Sequence, residues 1–505
     1  MRSCLDRPLA AARSRLSVVA TAAAVAMVGS LAAAAPLGPA PTLTAPAAPP
    51  RAVDRLDAAP LLARPNVGNV ELGRNMSWGV GAAADSPACH PTRPICVHWT
   101  DKGEHAVPPD DVDGDNVPDQ VERTLGAIAT SWAAIVGNLG FRKPLSDGRS
   151  PVNGGDNRLD VYLADTGRAD LSGYTSSDDP RLADGSSYRF RDVSAFIVLD
   201  NDYRPGQFAG STPAGHLRVA AAHEFFHAVQ FAYDFRDDQW MTEGTAAWVE
   251  DRVFDDVNLN RQYLQHSPLA APLTPLDFGR RGHQYGSWVF FRYLAERFGP
   301  KIIAKIWRFA DDSPDQVSTK ASQTYSMRAV RRAIGREGSD FSKVYAQFML
   351  GNLRPAKTYS EGATYPVPFT PRISLGPKGQ TTGWLGTKLH HLSAIYVSYV
   401  PGKNAPPARR LLLGVDGPPR GTAPAARVMI RFDGGRVKTE AIRLNKRGNG
   451  EVRVPFGRSS VRSVTVAMVN GSTRYTRCST KTVPYSCGGR SKDDDRLYKV
   501  RAKVL

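Results

Sequence analysis

The pattern of apolar and polar residues divides this chain of 505 residues into a helical part and a later strand-rich part. Residues 217–233, LRVAAAHEFFHAVQFAY, contain no Gly or Pro and are apolar enough to predict a helix that is buried on most sides. The polar segment 234–239 predicts a turn. Residues 240–251 then predict a second helix that packs back on the first.

Shorter apolar runs predict strands. Residues 159–165 and 195–200 are strand-like and are expected to form a sheet beside the two helices. Beyond a helical tract, the Pro-rich residues 354–377 mark a domain boundary. After it, apolar runs of five to nine residues between Gly, Pro and Asn turns predict an antiparallel β-sandwich. The expected fold class is therefore α+β.

The N-terminal segment is typical of export. Four arginines precede the apolar, Ala-rich residues 16–35, which predicts a signal peptide over 1–35 and a secreted protein. The alternative is a retained membrane anchor, because the run approaches the length that spans a bilayer. Residues 36–75 are rich in Ala and Pro and are interpreted as a flexible linker or a propeptide. The remaining chain then divides into a domain over 76–355 and the sandwich over 356–505.

The positive charge is concentrated at the C-terminus. The whole chain has a net charge of +17, and residues 401–505 carry 23 of the 65 Lys and Arg but only 7 of the 48 Asp and Glu. Such a surface favours a polyanionic partner, such as an anionic cell-wall polymer. A merely solvated basic face is the alternative. No sequence motif supports specific nucleic-acid recognition.

Cysteine usage also agrees with export. Cys4 lies in the predicted signal peptide, which leaves Cys89, Cys96, Cys478 and Cys487 in two pairs that are close in sequence. Of the three possible connectivities, the local one is favoured, namely Cys89 with Cys96 and Cys478 with Cys487. Such disulfides persist in an oxidising compartment.

An acidic segment over residues 110–122 resembles a twelve-residue calcium loop. Counted from Asp111, oxygen donors fall at positions 1, 3, 5, 7, 9 and 12, which are Asp111, Asp113, Asp115, the carbonyl of Val117, Asp119 and Glu122. Position 6 is Asn116 where such loops have Gly, and Asn tolerates the left-handed conformation. The segment predicts a Ca²⁺ site, with a solvated acidic turn ahead of a helix as the alternative.

The buried helix carries His223-Glu224-Phe225-Phe226-His227. Two His four residues apart lie on one helical face, so both imidazoles can bind one Zn²⁺ ion while Glu224 faces a bound water. A catalytic zinc takes three protein ligands, and Glu243 on the second helix is the expected third. A hydrogen-bonded pair of core histidines is the alternative interpretation of the motif alone.

The segments HEFFH and WMTEGTAAWVE together resemble the gluzincins, the thermolysin and zinc-aminopeptidase group of metallopeptidases. The order of segments over roughly residues 96–298 also resembles a group of secreted bacterial metallopeptidases within the gluzincins. The resemblance implies a gluzincin-like fold, zinc bound by His223, His227 and Glu243, Glu224 as general base, and Glu250 as a carboxylate that orients a ligand imidazole. The chain differs from those two families in a shorter spacer before Glu243 and in Thr242, where they have Asn.

A peptidase also needs a donor for the oxyanion that forms on the scissile carbonyl. The segment GHQYGSW loosely resembles the start of the helix that supplies a Tyr in zinc aminopeptidases, and it offers Tyr285 first and His283 second. An aromatic core helix over residues 285–298 is the alternative. The Gly-x-Met-Glu-Asn segment of zinc aminopeptidases is missing from the sequence, which favours an endopeptidase.

These patterns together predict a secreted zinc endopeptidase that acts on a protein or peptide substrate. Zinc-activated water would attack the peptide bond, with Glu224 as the base. The alternative function is a noncatalytic surface-binding protein that keeps a metallopeptidase scaffold. Retention of Glu224 beside three metal ligands favours the enzyme, because a scaffold without a hydrolytic role has no physical need for that base.

Overall fold

The computed structural model describes residues 87–150, 153–180, 192–311, 326–478 and 484–505. The predicted signal peptide over 1–35 and the predicted linker or propeptide over 36–75 lie outside these ranges. Within them, the protein is a mixed α+β structure whose C-terminal region is β-rich. None of the helices in the described ranges is long and apolar enough to cross a bilayer.

A five-stranded mixed sheet lies in the N-terminal half of the described chain, with the strand order β1-β2-β3-β5-β4. The strands are β1 (Ala88–Cys89), β2 (Ile95–His98), β3 (Leu159–Ala164), β4 (Gly173–Ser176) and β5 (Phe196–Asp200). Strands β2 and β5 run parallel to β3, and the edge strands are antiparallel to their neighbours. Every residue of β3 and β5 is buried, which explains their apolar composition.

The two predicted active-site helices are α2 (Pro213–Phe231) and α3 (Gln239–Val253). Helix α2 begins four residues earlier than predicted because Thr212 caps it, accepting a hydrogen bond from the Gly215 amide at 3.1 Å. Helix α2 packs against α3, strands β4 and β5, and α1 (Asp119–Trp132), which continues into a π-helical segment, Ala133–Asn138. The sheet and α3 therefore enclose the helix that carries the HEFFH motif.

The predicted aromatic helix over 285–298 is two helices in the structure, α4 (His283–Gly286) and α5 (Trp288–Phe298). They meet at Ser287, whose hydroxyl donates to the Gln284 carbonyl and lies 2.8 Å from the carbonyl of Trp240 on α3. A Cβ atom at Gly244 would come within 2.2 Å of Ser287 Oγ, so the Gly of the EGT segment permits this close approach of α3.

Four further helices follow within the described residues. They are α6 (Lys301–Ala310), α7 (Met327–Arg336), α8 (Phe341–Gly351) and α9 (Pro355–Thr358). Helices α7 and α8 match the later part of the predicted helical tract, whereas residues 316–325 lie outside the described ranges. The apolar faces of these helices belong to the same core as the sheet and α2.

The C-terminal region contains two sheets that share one apolar core. The five-stranded sheet has the order β11-β10-β13-β8-β6 and the four-stranded sheet the order β12-β9-β16-β7. Their strands are β6 (Arg372–Leu375), β7 (Leu385–Leu389), β8 (Ser393–Pro401), β9 (Arg410–Asp416), β10 (Pro424–Phe432), β11 (Val437–Ile442), β12 (Asn449–Pro455), β13 (Val461–Asn470) and β16 (Arg496–Val504); a separate pair is β14 (Tyr475–Thr476) and β15 (Arg490–Ser491). Strand β6 runs parallel to β8, which corrects the prediction of a wholly antiparallel sandwich.

The outer face of the five-stranded sheet packs against the helical part. Val428 and Ile430 of β10 point into the sandwich core, whereas Met429 between them belongs to the helical core with Ala467 of β13. The hydroxyl of Tyr396 donates to the carbonyl of Met349 on α8 at 2.7 Å. The sequence boundary near residue 355 therefore coincides with a continuous apolar contact between the two parts.

Two disulfides occur within the described residues, and both have the predicted local connectivity. Cys89 and Cys96 face each other on β1 and β2, so their bond closes the hairpin at one edge of the sheet. Cys478 is bonded to Cys487 near the small β14–β15 pair. The backbone amide of Cys487 donates to Asp238 at the start of α3, which ties this C-terminal loop to the active-site helices.

Candidate metal centre

Helices α2 and α3 bring two imidazoles and one carboxylate to a common point. His223 and His227 lie one turn apart on α2, and their ring centroids are 4.6 Å apart. Glu243 projects from the first turns of α3, which turns back after the polar segment 234–238. The three side chains offer ligand atoms that all lie within 4.8 Å of one another.

The interatomic distances fit one ion. Glu243 Oε2 lies 3.2 Å from His223 Nε2 and 3.5 Å from His227 Nε2. A tetrahedral zinc ion with bonds of about 2.0–2.1 Å separates its ligand atoms by roughly 3.3–3.4 Å. The donor set of two imidazoles and one carboxylate is also one that catalytic zinc uses, so the residues present fit the metal.

The Nδ1 atom of each imidazole, on the side of the ring away from Glu243, contacts a further polar side chain. His223 Nδ1 lies 2.6 Å from Oε1 of Glu250, which follows Glu243 by about two turns of α3. His227 Nδ1 lies 2.7 Å from Gln230 Oε1, and the Gln230 amide in turn donates to the carbonyl of Thr242 and to Thr245. Both contacts orient the rings so that Nε2 faces Glu243. Glu250 was expected in this place, whereas sequence reasoning missed Gln230.

Glu224 lies on α2 between the two imidazoles and is almost wholly buried. Its Oε2 accepts a hydrogen bond of 2.8 Å from the hydroxyl of Thr175, which also donates to the Glu224 main-chain carbonyl. Thr175 belongs to the edge strand β4 and is a second residue that sequence reasoning missed. Its double contact fixes the carboxylate to the sheet.

The carboxylates of the cluster favour positive charge among them. Burial alone would lower the pKa values of His223 and His227, but hydrogen bonds and attraction from the carboxylates raise both above the ordinary value. Burial would raise the pKa of Glu243, yet the charge on His227 and hydrogen bonds from both imidazoles lower it well below its usual range. Burial raises the pKa of Glu250 despite its contact with His223. Three carboxylates around two imidazoles are thus suited to a cation.

Two tyrosines line the cluster. The ring of Tyr285 lies 6.1 Å from the His223 ring and is stacked on Tyr263 at 4.9 Å. Burial, reinforced by the nearby carboxylates, raises the pKa of both phenols well above the ordinary value. Both therefore stay protonated at neutral pH and remain hydrogen-bond donors. Sequence reasoning missed Tyr263, which lies in an irregular helical segment, Leu259–His266.

His283 is placed differently from Tyr285. Burial lowers the pKa of His283 to about 4, and the groups that influence it most are His266, Asp277 and the backbone of Pro275. Its ring contacts Phe278 at 6.3 Å. Of the predicted pair, Tyr285 is therefore the residue whose ring contact with His223 places it at the cluster.

The acidic loop has the backbone shape that the sequence predicts. Gly114 and Asn116 both have positive φ angles, 75° and 69°, and the carboxylates of Asp111, Asp113 and Asp115 converge within 4.8 Å. Repulsion from Asp113, together with burial and the other loop carboxylates, raises the pKa of Glu122. Asp119 departs from the expected arrangement, because it accepts a hydrogen bond from Val112 and pairs with Arg123 at 2.6 Å. In the same turn, the backbone amide of Val117 donates to Asp115 Oδ1 at 2.8 Å.

A third acidic group lies at the end of α3. Asp251, Asp255 and Glu361 offer oxygen atoms within 4.8 Å of one another. Arg292 contacts both Asp251 and Glu361, and Arg261 pairs with Glu361 at 3.1 Å. These guanidinium groups neutralise the cluster, which is therefore an ion-pair network that anchors α3 to α5.

Comparison with known proteins adds one family match. Residues 211–334, about a quarter of the chain, match the profile of a family of unknown function, DUF6055. The matched segment begins just before α2 and contains all three candidate metal ligands, Glu224 and Tyr285. A search of curated proteins gave no match.

Two solved structures share weak similarity with the chain. One is the pre-peptidase C-terminal domain of a collagenase from Bacillus anthracis, with 11% identity and a TM-score of 0.16, covering 27% of this chain and 95% of that one. The other is a GH115 4-O-methyl-α-glucuronidase specific for decorated arabinogalactans, with 10% identity and a TM-score of 0.14, covering 58% of this chain and 38% of that one. No argument about this protein rests on scores this low.

Proposed function

We propose that the protein is a secreted zinc-dependent endopeptidase of the gluzincin type. One observation carries the proposal: His223 Nε2 and His227 Nε2 both face Glu243 Oε2 at 3.2 and 3.5 Å, while the outer nitrogen of each ring is bound by Glu250 or Gln230. A pair of core histidines would not need this arrangement. The fixed tautomer leaves each Nε2 lone pair free for a cation.

The side chains then take distinct roles. His223, His227 and Glu243 would hold zinc, which when bound lowers the pKa of a water molecule and polarises the substrate carbonyl. Glu224 accepts a proton from the attacking water and returns it to the leaving amine. Thr175 keeps the Glu224 carboxylate in one orientation. Tyr285, supported by the stacked ring of Tyr263, donates a hydrogen bond to the oxygen on which negative charge develops.

Four further features support the setting of this activity. The apolar N-terminal segment and the two disulfides favour secretion. The loop over residues 111–122 would bind a structural Ca²⁺ ion at the start of α1. The missing aminopeptidase segment favours internal cleavage of a protein or peptide chain over removal of single N-terminal residues.

Metal removal and restoration test the proposal. The mature chain should cleave an unfolded protein, lose this activity with a zinc chelator and regain it when zinc is added back. Glu243→Gln keeps the size of the side chain but removes the ligand charge, so it should bind zinc weakly and cleave little. Glu440→Gln, on an exposed strand of the sandwich, is the matched control and should behave as wild type. Full activity of chelated protein or of Glu243→Gln would contradict the proposal.

A further inference from the structure

A pocket of about 230 Å³ opens where the helical part meets the sandwich. The end of α5, the C-terminal end of α8, helix α9 and strands β10 and β11 supply its walls. We call it the junction pocket and define it by Arg297, Gln347, Arg354, Lys357, Arg427 and Thr439. It lies outside the candidate metal centre, and none of the residues discussed there lines it.

The charge of the junction pocket is of one sign. Four of its ten lining residues are basic and none is acidic. Within the part of the chain that the structure describes, none of these four cations forms an ion pair with a carboxylate; the guanidinium of Arg297 instead donates to the Tyr293 hydroxyl at 3.3 Å. Four cations gathered in one concavity repel each other unless an anion lies among them.

Arg427 has a buried side-chain nitrogen that the described protein leaves without a partner. It projects from β10 on the face that packs against α8, and its Nε atom is buried without a hydrogen-bond partner. Burial lowers the pKa of Arg427, and repulsion from Arg297 adds to this. A buried N–H group without a partner is costly, so Arg427 Nε points to a ligand that accepts a hydrogen bond from it.

The neighbouring Arg431 shows how the protein satisfies such a residue internally. Its guanidinium donates to the carbonyl of Leu353 just beyond α8 at 2.7 Å, which uses the partial negative charge at the helix C-terminus. The pKa of Arg431 is nevertheless lowered, first by burial and then by Arg354, Arg462 and Arg372. The chain just beyond α8 therefore supplies an acceptor to Arg431, whereas Arg427 Nε has no such partner.

We propose that the junction pocket binds an oxyanion group, a phosphate or a sulfate, either free or carried on a polymer. Guanidinium groups match tetrahedral oxyanions with paired N–H donors, and the amide of Gln347 and the hydroxyl of Thr439 add neutral hydrogen bonds. The junction pocket combines one arginine of the basic C-terminal region, Arg427, with three cations that precede it in the chain. Oxyanion binding there does not depend on the proposed peptidase activity.

Titration of the mature chain with inorganic phosphate and with sulfate tests the site, at constant ionic strength in chloride buffer. Arg427→Gln and Arg297→Gln should each weaken phosphate binding about tenfold or more, because each removes a charged hydrogen bond. Arg453→Gln removes the same charge from an exposed position on β12, in the other sheet, and should leave the affinity unchanged. Arg297 is exposed, so its variant reports on the pocket even if Arg427→Gln folds poorly.

A short polyphosphate chain distinguishes the two sources of the group. If the pocket takes the group from a polymer, polyphosphate binds more tightly than phosphate, and Arg427→Gln weakens both. If it takes the free ion, Arg427→Gln weakens phosphate binding and leaves polyphosphate bound to the wider basic surface. The proposal is overturned if wild type shows no saturable binding of phosphate or sulfate, or if Arg453→Gln loses as much affinity as the pocket variants.

Discussion

His223 Nδ1 lies 2.6 Å from Glu250 Oε1, on the side of the ring opposite Glu243. The second carboxylate oxygen of Glu250 is buried and has no hydrogen-bond partner. The buried carboxylate therefore depends on the imidazole for its stabilisation, and the imidazole depends on the carboxylate for its tautomer. This pairing fixes Nδ1 as the protonated nitrogen and makes Nε2 the better ligand.

Glu250→Gln tests that pairing. The variant retains a side-chain oxygen but loses the charge that increases the basicity of the His223 ring, so zinc affinity should fall about 10–100-fold. Competition with a chromophoric chelator measures the affinity. Glu296→Gln, in the ion-pair network around Arg292, is the control for loss of a glutamate elsewhere. An unchanged zinc affinity in Glu250→Gln would show that the contact has no influence on the metal.

Gln230 should act on His227 in the same manner. Gln230→Leu removes the acceptor for His227 Nδ1 and also the amide that donates to the carbonyl of Thr242. We expect weaker zinc binding together with a loss of about 1–3 kcal/mol in the free energy of unfolding. Gln230→Glu keeps the acceptor and should bind zinc more tightly than Gln230→Leu. Equal zinc affinity in both variants would rule out an orienting role for Gln230.

A buried imidazole links the helical part to the sandwich. His391 contacts Asp494 Oδ1 through Nδ1 at 2.6 Å and Asp277 Oδ1 through Nε2 at 2.9 Å. Burial opposes protonation, but attraction to Asp277 and hydrogen bonds to both carboxylates raise the pKa of His391 to about 9. The rings of Tyr475 and Tyr485 complete the enclosure, and burial raises the pKa of both phenols. His391 is thus a cation held between two anions.

The contact that His391 makes between the helical part and the sandwich should consequently lose stability in alkaline solution. The ordinary pKa of a His is 6.5 and that of His391 in the folded protein is about 9, so its contribution is complete below pH 6.5 and disappears as the pH rises through 9. Its size is on the order of 3 kcal/mol. His390, outside the enclosure, also faces Asp494.

Thermal unfolding across this pH range measures the effect. Wild type should melt at progressively lower temperature between pH 6.5 and 9, and His391→Gln should show a flatter profile. The pH dependence of stability has the opposite sign for Asp494. Burial would raise its pKa, but its hydrogen bonds with His391 lower the pKa to about 2. Its contribution is present above pH 4 and disappears as the pH falls through 2. Parallel alkaline profiles for wild type and His391→Gln would contradict this account.

Calcium should stabilise the acidic loop. The carboxylates of Asp111, Asp113 and Asp115 repel one another in the absence of a cation, and calcium at a hundred times its dissociation constant should add about 3 kcal/mol to the free energy of unfolding. Asp115→Asn keeps the oxygen that accepts the Val117 amide but should remove most of the effect. Asp433→Asn, in an exposed turn, should leave the stabilisation by calcium unchanged. Thermal shifts with calcium that match in all three proteins would exclude a site in this loop.

The sequence predicted those parts of the candidate site that arise from spacing along single helices. His223 and His227 share a helical face by their separation of four residues, and the short polar turn at 234–238 limits where Glu243 can lie. Gln230 follows the same rule, since it lies three residues after His227 in an otherwise apolar helix. It could have been identified as the partner of that ring.

Residues that meet through tertiary packing could not be predicted in this manner. Thr175 reaches Glu224 because β4 is the edge strand beside α2, and its sequence surroundings give no indication of this. The break between α4 and α5 arises from the contact of Ser287 with α3 and is invisible in the aromatic pattern. Arg297 and Arg427 lie 130 residues apart in the chain, so their shared pocket emerges only when the sandwich packs on α8.

The proposed role of Glu224 as the general base is tested by comparing cleavage by wild type and by Glu224→Gln at matched zinc content. Glu224 is not one of the three expected zinc ligands, so wild type and the variant should each bind about one zinc per chain. Zinc content by mass spectrometry and cleavage of an unfolded protein are measured on the same samples. The account predicts cleavage by wild type and a loss of at least about a hundredfold in Glu224→Gln, the typical share of a general base. Equal cleavage by both proteins, or no cleavage by zinc-loaded wild type, would contradict it.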